Sequence, residues 1–250
     1  MRHVAAACLL VLASALSAFP QTQVQAREIH LTTLAWEPYY GPDLRNDGFC
    51  GAIVKAAFEH QGHEVKISYL PWARALKDAA SGRYDGILGG YYTKEREQDF
   101  LYTKAFARSQ GALIARPEVE INNYDSLHEL SPYRIAVGNQ FAHTDAFDNA
   151  DYLNKLPVNR VRQIVRMLFE GRVDIAAISV AVFRYEAREL GYDDADRMTR
   201  LRPLLFDNGL HIMLPKTLKQ STGLVEDFNK GLAAIKANGT YRDIMDSYGQ

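Results

Sequence analysis

The segment that ends at Arg96 carries the residue types that bind small anions. It reads Gly89-Gly90-Tyr91-Tyr92-Thr93-Lys94-Glu95-Arg96 and follows an apolar run. The two glycines let a bound molecule approach the backbone closely, and Thr93 can cap a helical turn that holds Arg96. A guanidinium binds a carboxylate through two parallel hydrogen bonds, which an ammonium group cannot match. The segment therefore predicts a carboxylate-binding arginine, with an arginine on an exposed helical turn as the alternative.

Aromatic side chains cluster where the predicted strands end. They are Trp36, Tyr39, Tyr40, Trp72, Tyr91 and Tyr92. Core packing accounts for most aromatic residues, but a cluster at strand ends is typical of the wall of a ligand pocket. Other chemistry is not indicated. His60 and His63 have no further metal-binding neighbours in the sequence, and Ser179 and Ser221 lack the glycine-flanked turn of a hydrolase nucleophile. We expect no metal and no cofactor.

Short apolar runs alternate with amphipathic helical segments, which predicts an α/β fold. In the first part of the chain we expect strands at 29–34, 64–70 and 85–88, and helices at 52–60 and 72–80. In the second part we expect strands at 134–137 and 173–177, a helix that opens at Phe141, and a helix at 160–169. This last helix places Val161, Ile164, Val165 and Leu168 on one face, the spacing of a helix packed on a core.

One sequence pattern occurs twice. Residues 81–87 and residues 170–176 each contain a glycine, a basic residue, and an aspartate that opens an apolar strand. A glycine in the left-handed conformation commonly ends a helix. The repetition predicts two similar α/β lobes with a cleft between them. Ligands of open parallel sheets bind beyond the carboxyl ends of strands, so we expect the site at 89–96 and 178–181.

The first 26 residues have the pattern of a secretory signal peptide. Arg2 precedes an apolar stretch from Val4 to Ala18, and Val24-Gln25-Ala26 supplies the small residues of a cleavage site. A membrane anchor is the alternative, but the stretch is short for one. After cleavage Cys50 is the only cysteine, which favours a buried apolar role. The net charge of −1 and the lack of a basic block argue against nucleic acid as a partner.

The order of these motifs resembles the family 3 extracellular solute-binding proteins, which bind polar amino acids for ABC importers. Trp36-Glu37-Pro38-Tyr39-Tyr40 is similar to the aromatic-proline segment after the family's first strand. The first copy of the repeated pattern, Thr93 to Arg96, and Phe100 to Phe106 follow the family's run of Gly-x-x-Asp, Thr-x-x-Arg and Phe-Thr-x-Pro-Tyr. The second copy and the stretch from Phe228 to Tyr248 also match. The resemblance covers nearly the whole mature chain.

The resemblance implies a two-lobed periplasmic binding protein of type II, with two crossover strands forming a hinge. Lobe I would comprise residues 27–111 and 209–250, and lobe II residues 112–208. By position, Arg96 would bind the ligand carboxylate, and backbone N–H groups at a helix start near Phe141 and Ala142 would donate to it as well. Trp36, Tyr39 and Trp72 would flank the body of the ligand.

Two positions depart from the family's pattern, and a third adds a charge. Ser179 stands where amino-acid binders carry the acid that receives the α-ammonium group, and Tyr91 stands where they carry a small hydroxyl residue. Arg74 adds a second arginine near the same wall. Either the ligand lacks an α-ammonium group, or another acid such as Glu37 or Asp207 takes over the role.

The function we expect is that of a periplasmic, monomeric substrate-binding protein of an ABC importer, which binds an amino acid or a related small carboxylate and is not an enzyme. Two alternatives use the same fold. One is a periplasmic enzyme similar to cyclohexadienyl dehydratase, with Glu37 or Asp207 as general acid or base. The other is a ligand-sensing partner of a membrane kinase.

Overall fold

Strands and helices alternate along residues 27–249, which are the residues that the computed structural model describes. The predicted signal peptide, residues 1–26, lies outside the described residues. The strands are β1 (Glu28–Thr33), β2 (Glu64–Tyr69), β3 (Gly86–Gly90), β4 (Phe100–Tyr102), β5 (Ala107–Ala115), β6 (Arg134–Gly138), β7 (Asn154–Val158), β8 (Ile175–Ser179), β9 (Thr199–Arg200) and β10 (Phe206–Pro215). The α-helices are α1 (Gly48–Glu59), α2 (Trp72–Ala80), α3 (Asp145–Asp148), α4 (Val161–Phe169), α5 (Val180–Glu189), α6 (Ser221–Ala237) and α7 (Thr240–Ser247).

The strands form two parallel groups that are joined by an antiparallel pair. The order along the sheet is β2-β1-β3-β10-β5-β8-β6-β7, with β4 on β10 and β9 on β5. In the first lobe β1 pairs in parallel with β2 and β3, and in the second lobe β6 pairs in parallel with β7 and β8. Strands β5 and β10 pair antiparallel between the lobes, from Ala107 opposite Leu210 to Gly111 opposite Phe206. We call this pair the hinge ribbon. The predicted residue limits of the lobes stay a prediction.

Each lobe buries the apolar faces of its helices. All four residues of the predicted α4 face, from Val161 to Leu168, are buried, which confirms that prediction. In the first lobe α1 packs against β2 and α6, and α7 packs against α1 and α6. Cys50 of α1 is fully buried and makes no disulfide, as its predicted apolar role requires. No helix within residues 27–249 is long and apolar enough to cross a membrane.

The repeated sequence pattern has the same structural role in both lobes. Gly82 after α2 has φ 79° and Gly171 after α4 has φ 68°, so both adopt the left-handed conformation that was predicted. The aspartate that follows fixes the neighbouring strand. Asp85 Oδ2 accepts from the His30 backbone N–H at 2.8 Å, and Asp174 Oδ2 accepts from the Arg134 backbone N–H at 2.8 Å. Each aspartate thus aligns the start of the strand whose far end approaches the cleft.

The region around Phe141 differs from the sequence prediction. The helix begins at Asp145, not at Phe141, because Thr144 caps it by accepting from the Phe147 backbone N–H at 3.3 Å. The Phe141 backbone N–H is used in a turn with the Gly138 carbonyl at 3.0 Å. Gln140 has φ 59°, the left-handed conformation. Phe141 and Ala142 therefore lie in a loop after β6, and the predicted helix start at these residues was wrong.

Candidate functional site

A cavity between the two lobes brings together most of the predicted binding residues. Its lining includes six of them: Trp36, Trp72, Tyr91, Arg96, Phe141 and Ala142. Leu34, Tyr40 and Gly89 complete it. The cavity measures about 30 Å³, which is room for one or two water molecules. A ligand the size of an amino acid can enter only if the lobes first separate.

Arg96 is held at the mouth of this cavity by its own segment and by the second lobe. Its backbone N–H donates to Thr93 Oγ1 at 3.1 Å, which confirms the predicted cap. Its guanidinium donates to the Tyr91 carbonyl at 3.4 Å and to the Gln140 carbonyl at 2.7 Å. Burial lowers the pKa of Arg96, yet a guanidinium stays charged at any pH a folded protein meets. Both acceptors are neutral carbonyls, and no carboxylate within residues 27–249 forms an ion pair with Arg96.

Trp72 contacts the same loop of the second lobe. Its indole Nε1 donates to the Gln140 carbonyl at 3.1 Å, and its ring meets the ring of Phe141 edge-on at 6.3 Å. The Arg96 guanidinium lies 5.3 Å from the centre of the Trp72 ring, within cation–π range. Gln140 thus accepts two hydrogen bonds from the first lobe. The sequence did not single out Gln140, because its side chain plays no part and only the left-handed backbone turns its carbonyl toward the cleft.

The segment after β1 forms the opposite wall. A tight turn joins the Trp36 backbone N–H to the Tyr40 carbonyl at 2.8 Å. Trp36 meets Tyr91 edge-on at 5.9 Å, and Tyr39 stacks behind Trp36 at 4.7 Å. Tyr39 therefore supports the wall but does not line the cavity. Gly89 has φ 86°, and a side chain there would collide with the ring of Tyr40, which explains the glycine.

Neutral hydroxyl groups lie behind the Tyr91 side of the cavity. Ser179 is buried, does not line the cavity, and accepts from Ser109 Oγ at 3.2 Å. The Tyr91 hydroxyl is buried and has no hydrogen-bond partner among the described residues. Burial raises the pKa of Tyr91 well above its ordinary range, so the hydroxyl stays neutral. None of these groups can balance a positive charge.

The remaining charged residues named from the sequence lie outside the cavity. Arg74 is exposed and pairs with Asp78, with Nε and Oδ2 3.5 Å apart. Asp207 pairs with Arg108 at 3.0 Å on the hinge ribbon. Glu37 is half-buried, and both burial and the nearby Glu186 raise its pKa. Among the described residues, Arg96 is the one charged side chain of the cavity lining.

Two α/β lobes, a hinge ribbon between them and an aromatic cavity with one arginine define a ligand-binding protein of the two-lobed type II periplasmic fold. The sequence comparison gives the family. Residues 32–250 match the bacterial extracellular solute-binding proteins, family 3, and the chain belongs to this family.

Individual relatives are distant but cover almost the whole chain. The chain is 25% identical over 247 residues to the ABC transporter arginine-binding protein 1 of Escherichia coli strain K12, covering 96% of this chain and 98% of that protein. A histidine kinase sensor domain with similarity to periplasmic binding proteins has a TM-score of 0.77 and 18% identity, covering 88% of this chain and 95% of that one. The substrate-binding protein of an amino acid ABC transporter has a TM-score of 0.74 and 19% identity, covering 88% and 98%.

Proposed function

We propose that this protein is the periplasmic substrate-binding protein of an ABC importer, and that it binds a small carboxylate in the cavity between its lobes. The observation that carries the proposal is the environment of Arg96. Its guanidinium is half-buried among aromatic rings, and its hydrogen-bond acceptors are the carbonyls of Tyr91 and Gln140. A cation in such a place is stabilised most by a charged acceptor.

The two contacts to Gln140 suggest how binding and closure are linked. Arg96 and Trp72 of the first lobe both donate to this carbonyl of the second lobe. A ligand carboxylate between Arg96 and the loop at Phe141 would replace a neutral acceptor by a charged one and touch both lobes. The closed arrangement would then be favoured by the ligand's additional contacts.

The transport role is supported by the family and by the names of relatives. The Escherichia coli relative is named as an arginine-binding protein of an ABC transporter. Export through the predicted signal peptide of residues 1–26 would deliver this chain to the periplasm, where such proteins meet their permease. Sensing for a membrane kinase uses the same fold, but no contact within residues 27–249 favours it over transport.

A thermal-shift screen of the mature protein against small acids, amines and amino acids tests the proposal. We expect carboxylates to raise the melting temperature and amines without a carboxylate to have no effect. Stabilisation by simple amines, with no effect of any carboxylate, would contradict the proposal. Uptake of the best-binding acid by cells that carry or lack this protein would then separate transport from sensing.

A further inference from the structure

A second depression lies beside the hinge ribbon and has a volume of about 380 Å³. Four charged residues line it, Arg108, Arg184, Arg200 and Asp207, and Gln110, Tyr39, Val180 and Ala181 complete the lining. Its size falls within the range of small-molecule pockets, roughly 300–1,000 Å³. Tyr39, Asp207 and the pair Val180 and Ala181 were predicted for the cleft site or its alternatives, whereas Arg108, Gln110, Arg184 and Arg200 have no role there.

The depression lies on the opposite face of the hinge ribbon from the cleft cavity. Side chains alternate between the two faces along a strand. Asp207 is directly opposite Gln110 in the ladder, so these two and Arg108 share one face. Phe206 points to the other face, where its ring packs 5.3 Å from Tyr91 of the cleft. The two cavities are therefore separate sites.

The charges of the depression do not cancel. Arg108 is neutralised by Asp207, with Nε and Oδ1 3.0 Å apart, and it also donates to the Asp207 carbonyl at 2.8 Å. Gln110 donates to the second oxygen of Asp207 at 3.3 Å. The side chains of Arg184 on α5 and Arg200 on β9 are exposed to solvent, and they form neither an ion pair nor a hydrogen bond with any residue within 27–249. Two guanidinium groups from different elements thus line one depression, and no carboxylate within residues 27–249 pairs with them.

We propose that this depression binds a small oxyanion that carries two or more negative charges. Each guanidinium can donate two parallel hydrogen bonds to a pair of oxygens, and two such groups match two anionic charges. A monocarboxylate would leave one guanidinium without a counter-ion. Inorganic phosphate and organic polycarboxylates share this chemistry.

The position of the depression gives the bound anion a second effect. Tyr39 comes from the first lobe and stacks on Trp36 of the cleft, whereas Arg184 comes from the second lobe, and Arg108 and Asp207 belong to the hinge ribbon. Arg200 also comes from the second lobe, so an anion held by Arg184 and Arg200 contacts both lobes when it touches Tyr39 as well. It changes the affinity of the cleft if it binds the open and closed arrangements unequally, and the effect is reciprocal.

Titration of the mature protein with inorganic phosphate, and separately with citrate, tests this site. Calorimetry at low ionic strength in a chloride buffer measures affinity, and backbone NMR shifts of residues 180–184 and 200 locate binding. We expect at least one of the two anions to bind saturably, with a Kd below about 1 mM. Arg184→Ala and Arg200→Ala should each weaken it about tenfold or more. Arg188→Ala removes the same charge from α5 outside the depression, where Arg188 stacks on Tyr185 at 5.4 Å, and should leave binding within about twofold.

Each outcome of the titration is informative. Binding of phosphate alone supports an inorganic oxyanion, and binding of citrate alone supports a polycarboxylate. Absence of saturation by both anions would overturn the proposal. Equal weakening by Arg188→Ala would also overturn it, because the anion would then respond to the net charge of the protein and not to this site. Thermal melts of the three variants verify that each is folded. The cleft function proposed above stands or falls by the thermal-shift screen and not by this titration.

Discussion

Replacing Arg96 by alanine tests the cleft site at its one charged side chain. A ligand carboxylate in the cavity would lose a charge-assisted hydrogen bond, worth about 1.5–3 kcal/mol. It would also be left without a counter-ion among Trp36, Trp72 and Phe141, so the total loss should reach about 2–5 kcal/mol. This corresponds to a Kd that is weaker by about 30-fold to a few thousand-fold. Folding should change little, because the guanidinium faces the cleft.

Calorimetry with the tightest-binding acid of the thermal-shift screen measures this loss. Arg74→Ala is the matched control, because Arg74 is also an arginine of the first lobe but is exposed and pairs with Asp78 outside the cavity. An exposed pair of this kind contributes about 0–1 kcal/mol, so Arg74→Ala should bind almost as the parent protein does. A parent-like Kd for Arg96→Ala, or equal losses in the two variants, would refute the assignment of Arg96.

Three further predictions follow from the buried groups. Of an amino acid and its deaminated analogue, the analogue should bind better, because no acidic side chain of the described residues lines the cavity. Suitable pairs are L-phenylalanine with 3-phenylpropanoate, and L-arginine with 5-guanidinopentanoate. A preference of about tenfold or more for the amino acid would contradict this. Glu37→Gln should stabilise the protein at neutral pH and lose this advantage in acid. A carboxyl whose pKa is raised on folding contributes stability that is present below its ordinary pKa of 4.5 and is lost as the pH rises through the raised value. Chemical denaturation of both proteins at both pH values measures the difference, and equal stability at neutral pH would contradict the prediction. Burial raises the pKa of the Cys50 thiol far above its usual value. The thiol should therefore resist a thiol reagent in the folded protein and react after unfolding, and fast reaction in the native protein would contradict this.

Local sequence patterns predicted the parts of the site that depend on neighbouring residues. The Thr93 cap and the two helix-ending glycines, Gly82 and Gly171, follow from short-range backbone chemistry and are confirmed by the structure. The prediction that Arg74 lies near the wall did not take into account the direction in which each side chain leaves helix α2. Residues two apart on an α-helix differ by about 200° in direction, so Arg74 of α2 points away when Trp72 points into the cavity.

Contacts between distant segments could not be predicted in the same way. The Gln140 carbonyl meets Arg96 and Trp72 across 44 and 68 residues of chain. Ser179 pairs with Ser109 across 70 residues and lies outside the cavity lining. Each contact joins segments that the strand order of the sheet brings together. The sequence showed which residues could bind a ligand, and the sheet order determined which of them share the cavity.

A substrate-binding protein binds its small carboxylate between the lobes and releases it unchanged, and we propose that this protein does so. Incubating the mature protein with the best-binding acid, followed by equilibrium dialysis and mass spectrometry of the recovered small molecule, tests this most directly. We expect about one molecule bound per chain and recovery of the acid with its original mass. Loss of the acid with the appearance of a product would show an enzyme, and the absence of saturable binding by every carboxylate tested would contradict the claim itself.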